Sequence, residues 1–179
     1  LADLPQDFVT RYRADLPKGL RVKLSTESPI CETNSEYQAA TEKVAAILED
    51  HGSSIIPTSW PDVDLEEFLV LWKRLMANAP MVLESRLQPV TAWLRNEGKK
   101  ITREDAVQTR VRLEHHLLDC FGSADLWVSP TVAMKPPKIG EWIDADPETS
   151  FRNILGLGVY PAGYNVSGQP AISVPMGLS

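Results

Sequence analysis

The side chains that could bind a metal ion lie close together between residues 115 and 120. His115 and Asp119 are an i, i+4 pair, so on a helix they would share one face and could supply two ligands. His115 and His116 are adjacent and would point about 100 degrees apart, so they cannot share one metal ion. Two ligands without a visible third make an incomplete site, and the sequence therefore predicts no metal and no cofactor.

A serine or cysteine nucleophile has no suitable setting in this sequence. No Gly-x-Ser-x-Gly pentapeptide occurs. The nearest serine motif, Gly52-Ser53-Ser54, fits a helix cap followed by a strand. Cys120 would lie at the carboxyl end of a helix, where the helix dipole raises the pKa of a thiol. An unrelated metal- or cysteine-dependent enzyme built on His115, Asp119 and Cys120 is therefore the least favoured of the functions weighed.

Composition and charge narrow the class of protein. The 179 residues are 43% hydrophobic and 23% charged, which is typical of one globular domain. The formal net charge is -6 and the basic residues are scattered, so we expect no nucleic-acid partner. No stretch approaches the roughly 18 apolar residues of a membrane span, and the first residues lack the regions of a signal peptide. We predict a cytoplasmic protein with no membrane partner, in which Cys31 and Cys120 stay reduced.

The first elements along the chain are a strand, a helix and a strand. Apolar and polar residues alternate over residues 20–25, which is the period of a strand with one buried face. Thr33 and Glu36 have the spacing of a capping box, and the helix they would begin ends at Gly52. A short apolar run at residues 54–57 suits a second strand. This order predicts parallel strands and an α/β fold.

The middle of the chain is predicted to be mostly helical. Asp62 or Asp64 can cap a helix that runs to about Asn78, with Trp72 on its buried face. The later predicted elements are a helix begun by Pro89 and ended by Gly98, a long helix from Thr102 to Gly122, a buried strand at 125–129, a surface excursion at 131–146 and a short helix at 148–155.

The stretch from Asn165 to Gly177 reads NVSGQPAISVPMG and predicts a specific backbone path. Gly168 permits a tight or left-handed turn, and Pro170 and Pro175 fix the backbone where the chain enters and leaves the next element. That element, residues 171–174, is apolar with β-branched members, which predicts a strand.

This stretch resembles the carboxyl-terminal segment of the amidase-signature family, in which an Asn, a small residue, Gly, any residue and Pro-Ala-Ile-Ser-Val-Pro occur together near the substrate cleft. The strand, helix and strand of residues 20–57, and the Asp, apolar residues and Pro-Thr of residues 125–131, agree with the family in order and spacing. The resemblance covers nearly the whole chain. It implies an α/β fragment of the amidase-signature fold, a mixed β-sheet flanked by helices.

The catalytic residues of that family are not among the matches. The family uses a serine nucleophile, a bridging serine on a cis peptide and a lysine base. No Gly-Gly-Ser-Ser-Gly run occurs here and no lysine can be matched to the catalytic one, so we assign no catalytic residue. In the family these groups precede the segment that corresponds to Leu1. Because the chain begins with Leu and stops just after an apolar run, we expect residues 1–179 to be the carboxyl-terminal portion of an amidase domain, with the catalytic upstream part absent.

The resemblance implies that this chain supplies one wall of an acyl or leaving-group pocket. The implied wall residues are Pro130, Thr131, Tyr164, Asn165 and Gly168, of which Tyr164, Asn165 and Gly168 would lie in a loop. The other interpretation of the five is structural, as turn residues and a core-facing aromatic. Family members that hydrolyse glutamine carry an Asp shortly before the Asn-containing segment, and residues 156–163 hold no acid. That departure favours a general, aryl or aliphatic amidase.

Two functions therefore remain open. The favoured one is part of an amidase that hydrolyses a small-molecule carboxylic amide to an acid and ammonia or an amine, with the chain alone inactive. The alternative is a non-enzymatic, degenerate homologue that acts as a binding or interaction module. Without upstream neighbours, the strands at 125–129 and 171–174 would expose apolar edges, so we also expect self-association.

Overall fold

A parallel three-stranded sheet lies at the centre of the described chain. The computed structural model describes residues 17–81, 83–142 and 145–177. The strands are β1 (Arg21–Leu24), β2 (Ser54–Pro57) and β3 (Leu126–Val128), in the order β2-β1-β3. Val22 of β1 pairs with Ile55 on one side and Leu126 on the other, both in parallel register. The predicted α/β class and the parallel pairing of the first two strands are confirmed.

Helices account for most of the remaining elements. They are α1 (Ser35–Asp50), α2 (Leu65–Asn78), α3 (Pro89–Lys99), α4 (Arg103–Phe121), α5 (Pro147–Asn153) and α6 (Val159–Ser167), with short 3-10 turns at Glu84–Arg86 and Leu155–Leu157. Within the described ranges, none of these helices is long and apolar enough to cross a membrane.

Side-chain caps begin four of the described helices, α1, α2, α4 and α5. Asp64 accepts a hydrogen bond from the backbone N–H of Glu66 at 2.8 Å, and Thr102 accepts one from Asp105 at 3.1 Å, both as predicted. The capping box predicted at Thr33 is wrong by one residue. Asn34 is the cap of α1, because the Thr33 hydroxyl is buried and bonds elsewhere.

Helices α2 and α3 approach each other so closely at Gly98 that this position has no room for a side chain. Gly98, predicted to end α3, lies inside that helix and is buried. A Cβ at this position would overlap the backbone carbonyl of Lys73 on α2. The prediction that Gly98 is a helix stop is therefore wrong, because the glycine is needed for the close approach of the two helices.

The carboxyl end of α2 is held by a side chain from α3. The guanidinium of Arg95 donates from Nη1 to the carbonyls of Met76, Ala77 and Ala79 at 2.9, 3.1 and 2.8 Å. The last carbonyls of a helix lack an intrahelical N–H donor. By donating hydrogen bonds to these carbonyls, Arg95 links α3 to the end of α2.

Two clusters of buried hydrophobic side chains are found among the described residues. One consists of Trp60, Ala133, Val159 and Tyr160 and lies beside the sheet. The other consists of Leu69, Leu94 and Phe151 and joins α2, α3 and α5. Trp72, predicted to be core, packs against this second cluster but is only partly buried.

Two strand predictions need correction. Residues 171–174 form no strand in the structure, and Ile172 is 88% exposed. A strand needs a neighbour for its backbone hydrogen bonds, and none of the three described strands pairs with this segment. Its Ser173 hydroxyl lies 3.3 Å from that of Thr131, three residues after β3. The strand predicted as buried at 125–129 is β3, which lies at the outside of the described sheet with Leu126 40% exposed.

Candidate substrate pocket

An apolar cavity of about 310 Å³ lies between helices α2, α4 and α6. Phe68 and Trp72 line it from α2, Leu113 and Leu117 line it from α4, and Ala162 lines it from α6. These side chains occur there because each helix turns an apolar stripe towards the others. The volume is at the lower end of the range of about 300–1,000 Å³ that is typical of small-molecule pockets.

The cavity wall carries little polarity. Asn165, near the end of α6, supplies the one side-chain amide among the described lining residues, and none of those residues is charged. Trp60 and Trp72 add indole rings. A hydrocarbon wall with a single amide can hold an apolar group and orient a polar one.

A cluster of aromatic rings packs α6 against the sheet. The ring of Trp60 lies 5.2 Å from that of Trp127, 5.1 Å from Tyr160 and 5.7 Å from Tyr164, measured between centroids. Such tilted and edge-to-face pairs are favourable beyond the area they bury. Trp60 lines the cavity as well, so the same ring belongs to the core and to the pocket wall.

Two tyrosines one turn apart tie α6 to the rest of the fold. The hydroxyl of Tyr160 lies 2.7 Å from that of Thr33, and it donates to the carbonyl of Thr26 at 3.4 Å. The hydroxyl of Tyr164 donates to the carbonyl of Trp127 at 3.4 Å. Burial raises the pKa of both tyrosines. Both phenols therefore stay neutral donors, and α6 presents its other residues to the cavity.

The five predicted wall residues fall in different places. Asn165 lines the cavity, whereas Tyr164 packs against Trp60 in the aromatic cluster. Pro130 is buried and Thr131 exposed just after β3. Gly168 ends α6 in the left-handed conformation that the sequence permits, with φ of 72°. The prediction that Tyr164 and Asn165 lie in a loop is wrong, because α6 continues to Ser167.

Most of the residues that form the cavity are not identified as pocket residues by their sequence. The periodicity predicts Phe68, Trp72, Leu113 and Leu117 only as members of the buried faces of two helices. A helix face that lines a cavity and a face that packs against a neighbour have the same apolar period.

Neither of the two cysteines and none of the three histidines lines the cavity. His116 places Nε2 3.0 Å from the carbonyl oxygen of Asp62 and 3.8 Å from Sγ of Cys120. Burial raises the pKa of the Cys120 thiol, opposed by Lys23 and assisted by Asp119. No group of three His, Cys, Asp or Glu side chains comes together within the described residues as a metal site would require.

Comparison with known proteins relates nearly the whole chain to one family. The family model described as Amidase matches residues 2–179. A Mycobacterium leprae (strain TN) protein named as an amidase, AmiC, is 28% identical over 178 residues, covering 89% of this chain and 37% of the relative. The glutamyl-tRNA(Gln) amidotransferase of Psychrobacter cryohalolentis has one subunit that is 43% identical over 61 residues, covering 34% of this chain and 11% of that protein.

Solved structures show the same fold. A 6-aminohexanoate cyclic dimer hydrolase matches 92% of this chain and 40% of its own, with a TM-score of 0.72 and 23% identity. A bacterial aryl acylamidase of the amidase-signature family matches 68% of this chain and 29% of its own, with a TM-score of 0.54 and 16% identity. The chain thus spans about two fifths of the length of its relatives, 37% for AmiC and 40% for the hydrolase.

Proposed function

The chain belongs to the amidase family, and on that premise we propose that it is the carboxyl-terminal part of an enzyme that hydrolyses a carboxylic amide to an acid and ammonia or an amine. The family match over residues 2–179 is the observation that carries the proposal. The lengths of the relatives support the description as a portion of a larger amidase domain, because the chain accounts for 37% of AmiC.

We propose that this portion contributes a pocket wall and leaves the bond cleavage to other residues. The sequence holds no Gly/Ser-rich run and no lysine that matches the catalytic groups of the family. In the complete enzyme, as the resemblance implies, a serine attacks the amide carbonyl, a lysine accepts the relayed proton, and backbone N–H groups hold the oxyanion until water releases the acid. Asn165 and the apolar cavity support a role beside that chemistry.

The substrate and partners follow from the same proposal. The expected ligand is a small-molecule amide, and the apolar cavity supports that size class. Self-association is also proposed, supported by the exposed side chains of Ile172 and Val174. A nucleic-acid partner is not proposed, since the net charge is -6. The cytoplasmic location stays a prediction.

Ammonia release from simple aliphatic and aryl amides tests the proposal. The complete protein that carries this sequence should release ammonia, and the 179-residue chain should not. Robust turnover by the chain would contradict the absence of the nucleophile. Failure of the complete protein on every amide, with small-molecule binding retained, would favour the binding module instead.

A further inference from the structure

We propose that the apolar cavity selects an uncharged alkyl or aryl group, and that two small residues of α6 and its preceding turn, Gly158 and Ala162, set the size of that group. The assignment of this group to the amide substrate rests on the proposed function. The cavity itself is formed by described residues of this chain, and its occupancy can be measured without hydrolysis.

The absence of charged residues among the described lining residues supports selection of an uncharged group. No described lining residue is charged, and the two acids within α2 itself, which flank its lining residues, are already paired. Glu66 accepts a hydrogen bond from Arg152 at 2.6 Å, and Glu67 accepts one from Arg112 at 2.8 Å. A ligand ammonium or carboxylate would therefore lose hydration without gaining a partner of opposite charge from the described lining residues, which is costly. An alkyl or aryl group has no such cost.

The small residues in and just before α6 support the second claim, that Gly158 and Ala162 set the size of the bound group. At Gly163 a Cβ would come within 3.3 Å of Trp60 and 3.5 Å of Leu117, so packing keeps this residue small. At Gly158 the nearest atom to a Cβ would be 3.9 Å away, and φ is -125°, so neither packing nor backbone conformation requires glycine. Gly158 and Ala162 lie one turn apart and both line the cavity. Their small side chains therefore leave volume open in the cavity.

The available volume limits the group. A cavity of about 310 Å³ lies at the lower end of the range of small-molecule pockets, so it suits a small group. A six-carbon chain is a group of that kind. Larger side chains at Gly158 or Ala162 would occupy the same space as the ligand.

Calorimetric titration with hexan-1-ol tests the inference, because this alcohol has no amide to hydrolyse. The protein that carries this chain should bind hexan-1-ol and bind 6-aminohexan-1-ol at least ~100-fold more weakly, since the ammonium would enter the cavity without a partner of opposite charge. Ala162→Leu should weaken hexan-1-ol binding at least ~10-fold, by occupying the volume that the alkyl chain needs.

Two further variants control the experiment. Ala46→Leu makes the same change at an exposed position of α1 and should leave binding unchanged. Gly158→Ala is a smaller change that packing and backbone tolerate, and it should weaken binding by a smaller factor than Ala162→Leu. A thermal melt of each variant confirms that it is folded, and Gly158→Ala keeps the test decisive if Ala162→Leu does not fold.

The outcomes distinguish failure of this inference from failure of the proposed function. Equal binding of the two alcohols, or unchanged binding in a folded Ala162→Leu protein, would overturn the inference. The same holds if hexan-1-ol does not bind, since the cavity would then be filled by another segment or a second copy of the chain. Alcohol binding without any amide hydrolysis would instead overturn the proposed function and leave the selectivity of the cavity intact.

Discussion

Tyr160 illustrates how a single hydroxyl positions the helix that borders the cavity. Its side chain is 1% exposed, and its hydroxyl pairs with that of Thr33 at 2.7 Å. Thr33 immediately precedes the cap of α1, so the bond links α6 to the connection between β1 and α1. A buried hydroxyl that loses its partner also loses its former hydration.

We therefore expect Tyr160→Phe to lower the free energy of unfolding by about 1–2 kcal/mol, because it leaves the Thr33 hydroxyl buried without its partner. Urea titration gives the value. Thr33→Val and the double variant complete a cycle, in which the second substitution should cost less in the presence of the first. Additive losses would show that the two hydroxyls do not interact.

The tyrosines also predict the behaviour of stability at alkaline pH. Burial raises the pKa of Tyr160 and Tyr164 above the ordinary value of 10.0, so the folded protein keeps protons that the unfolded chain releases. Their contribution is fully present below about pH 10 and is lost as pH rises through the raised values. The free energy of unfolding should therefore fall in this window.

Urea titrations between about pH 9 and pH 11 measure this fall. Burial also raises the pKa of Cys31 and Cys120, so both are replaced by alanine in every protein compared. In that background, phenylalanine at both tyrosine positions should make the slope against pH shallower. An unchanged slope would assign the loss to other groups.

At the scale of elements, the contact between α2 and α3 leaves no room for a larger residue at Gly98. Gly98→Ala would bring a methyl group into the backbone carbonyl of Lys73, which cannot rotate away. We expect a loss of more than about 3 kcal/mol in the free energy of unfolding, or failure to fold.

Gly158→Ala is the matched comparison, because its added methyl group has no neighbour closer than 3.9 Å. It should change the free energy of unfolding by less than about 1 kcal/mol. Chemical denaturation of both variants gives the contrast. Similar stabilities would mean that α3 can shift away from α2 without loss.

The elements that local sequence determines were predictable. The alternation at residues 20–25 and the caps Asp64 and Thr102 depend on near neighbours, and the structure has them where predicted. The role of Gly98 was not predictable, because a glycine at a helix end and a glycine at a helix contact look alike in sequence. The role of Thr33 was not predictable either, because its true partner, Tyr160, is 127 residues away.

The candidate pocket was predictable to a smaller extent. Asn165 was identified through a dense local motif, and it does line the cavity. Phe68 and Leu113 come from different helices, and only the packing of those helices shows that a space remains between them. The strand predicted at residues 171–174 depends on a neighbouring strand, which local sequence does not specify.

At the scale of the whole molecule, the exposed apolar segment predicts association between copies. Ile172 is 88% exposed and Val174 61% exposed, and Ser173 between them lies beside Thr131, three residues after β3. Apolar side chains on an unpaired extended segment favour pairing with another chain. Sedimentation of the 179-residue chain should show a mass that rises with micromolar concentration.

A charge in that segment should weaken the association. Ile172→Lys removes apolar surface from an exposed position, so it should shift the sedimentation midpoint to higher concentration without lowering the melting temperature. Leu75→Lys makes a comparable change at an exposed site on α2 and serves as the control. A protein that stays monomeric throughout the micromolar range would contradict the proposed self-association.

The two indoles in the cavity wall make the pocket observable by intrinsic fluorescence. Trp60 and Trp72 both line the cavity, whereas Trp93 lies under the ammonium of Lys73 at 4.9 Å from its ring centroid. An alkyl ligand that displaces water from the first two rings lowers the polarity around them, and their emission should move to shorter wavelength. The other three of the five tryptophans do not line the cavity and add a background to the emission. An unlabelled sample therefore carries its own optical reporter of occupancy.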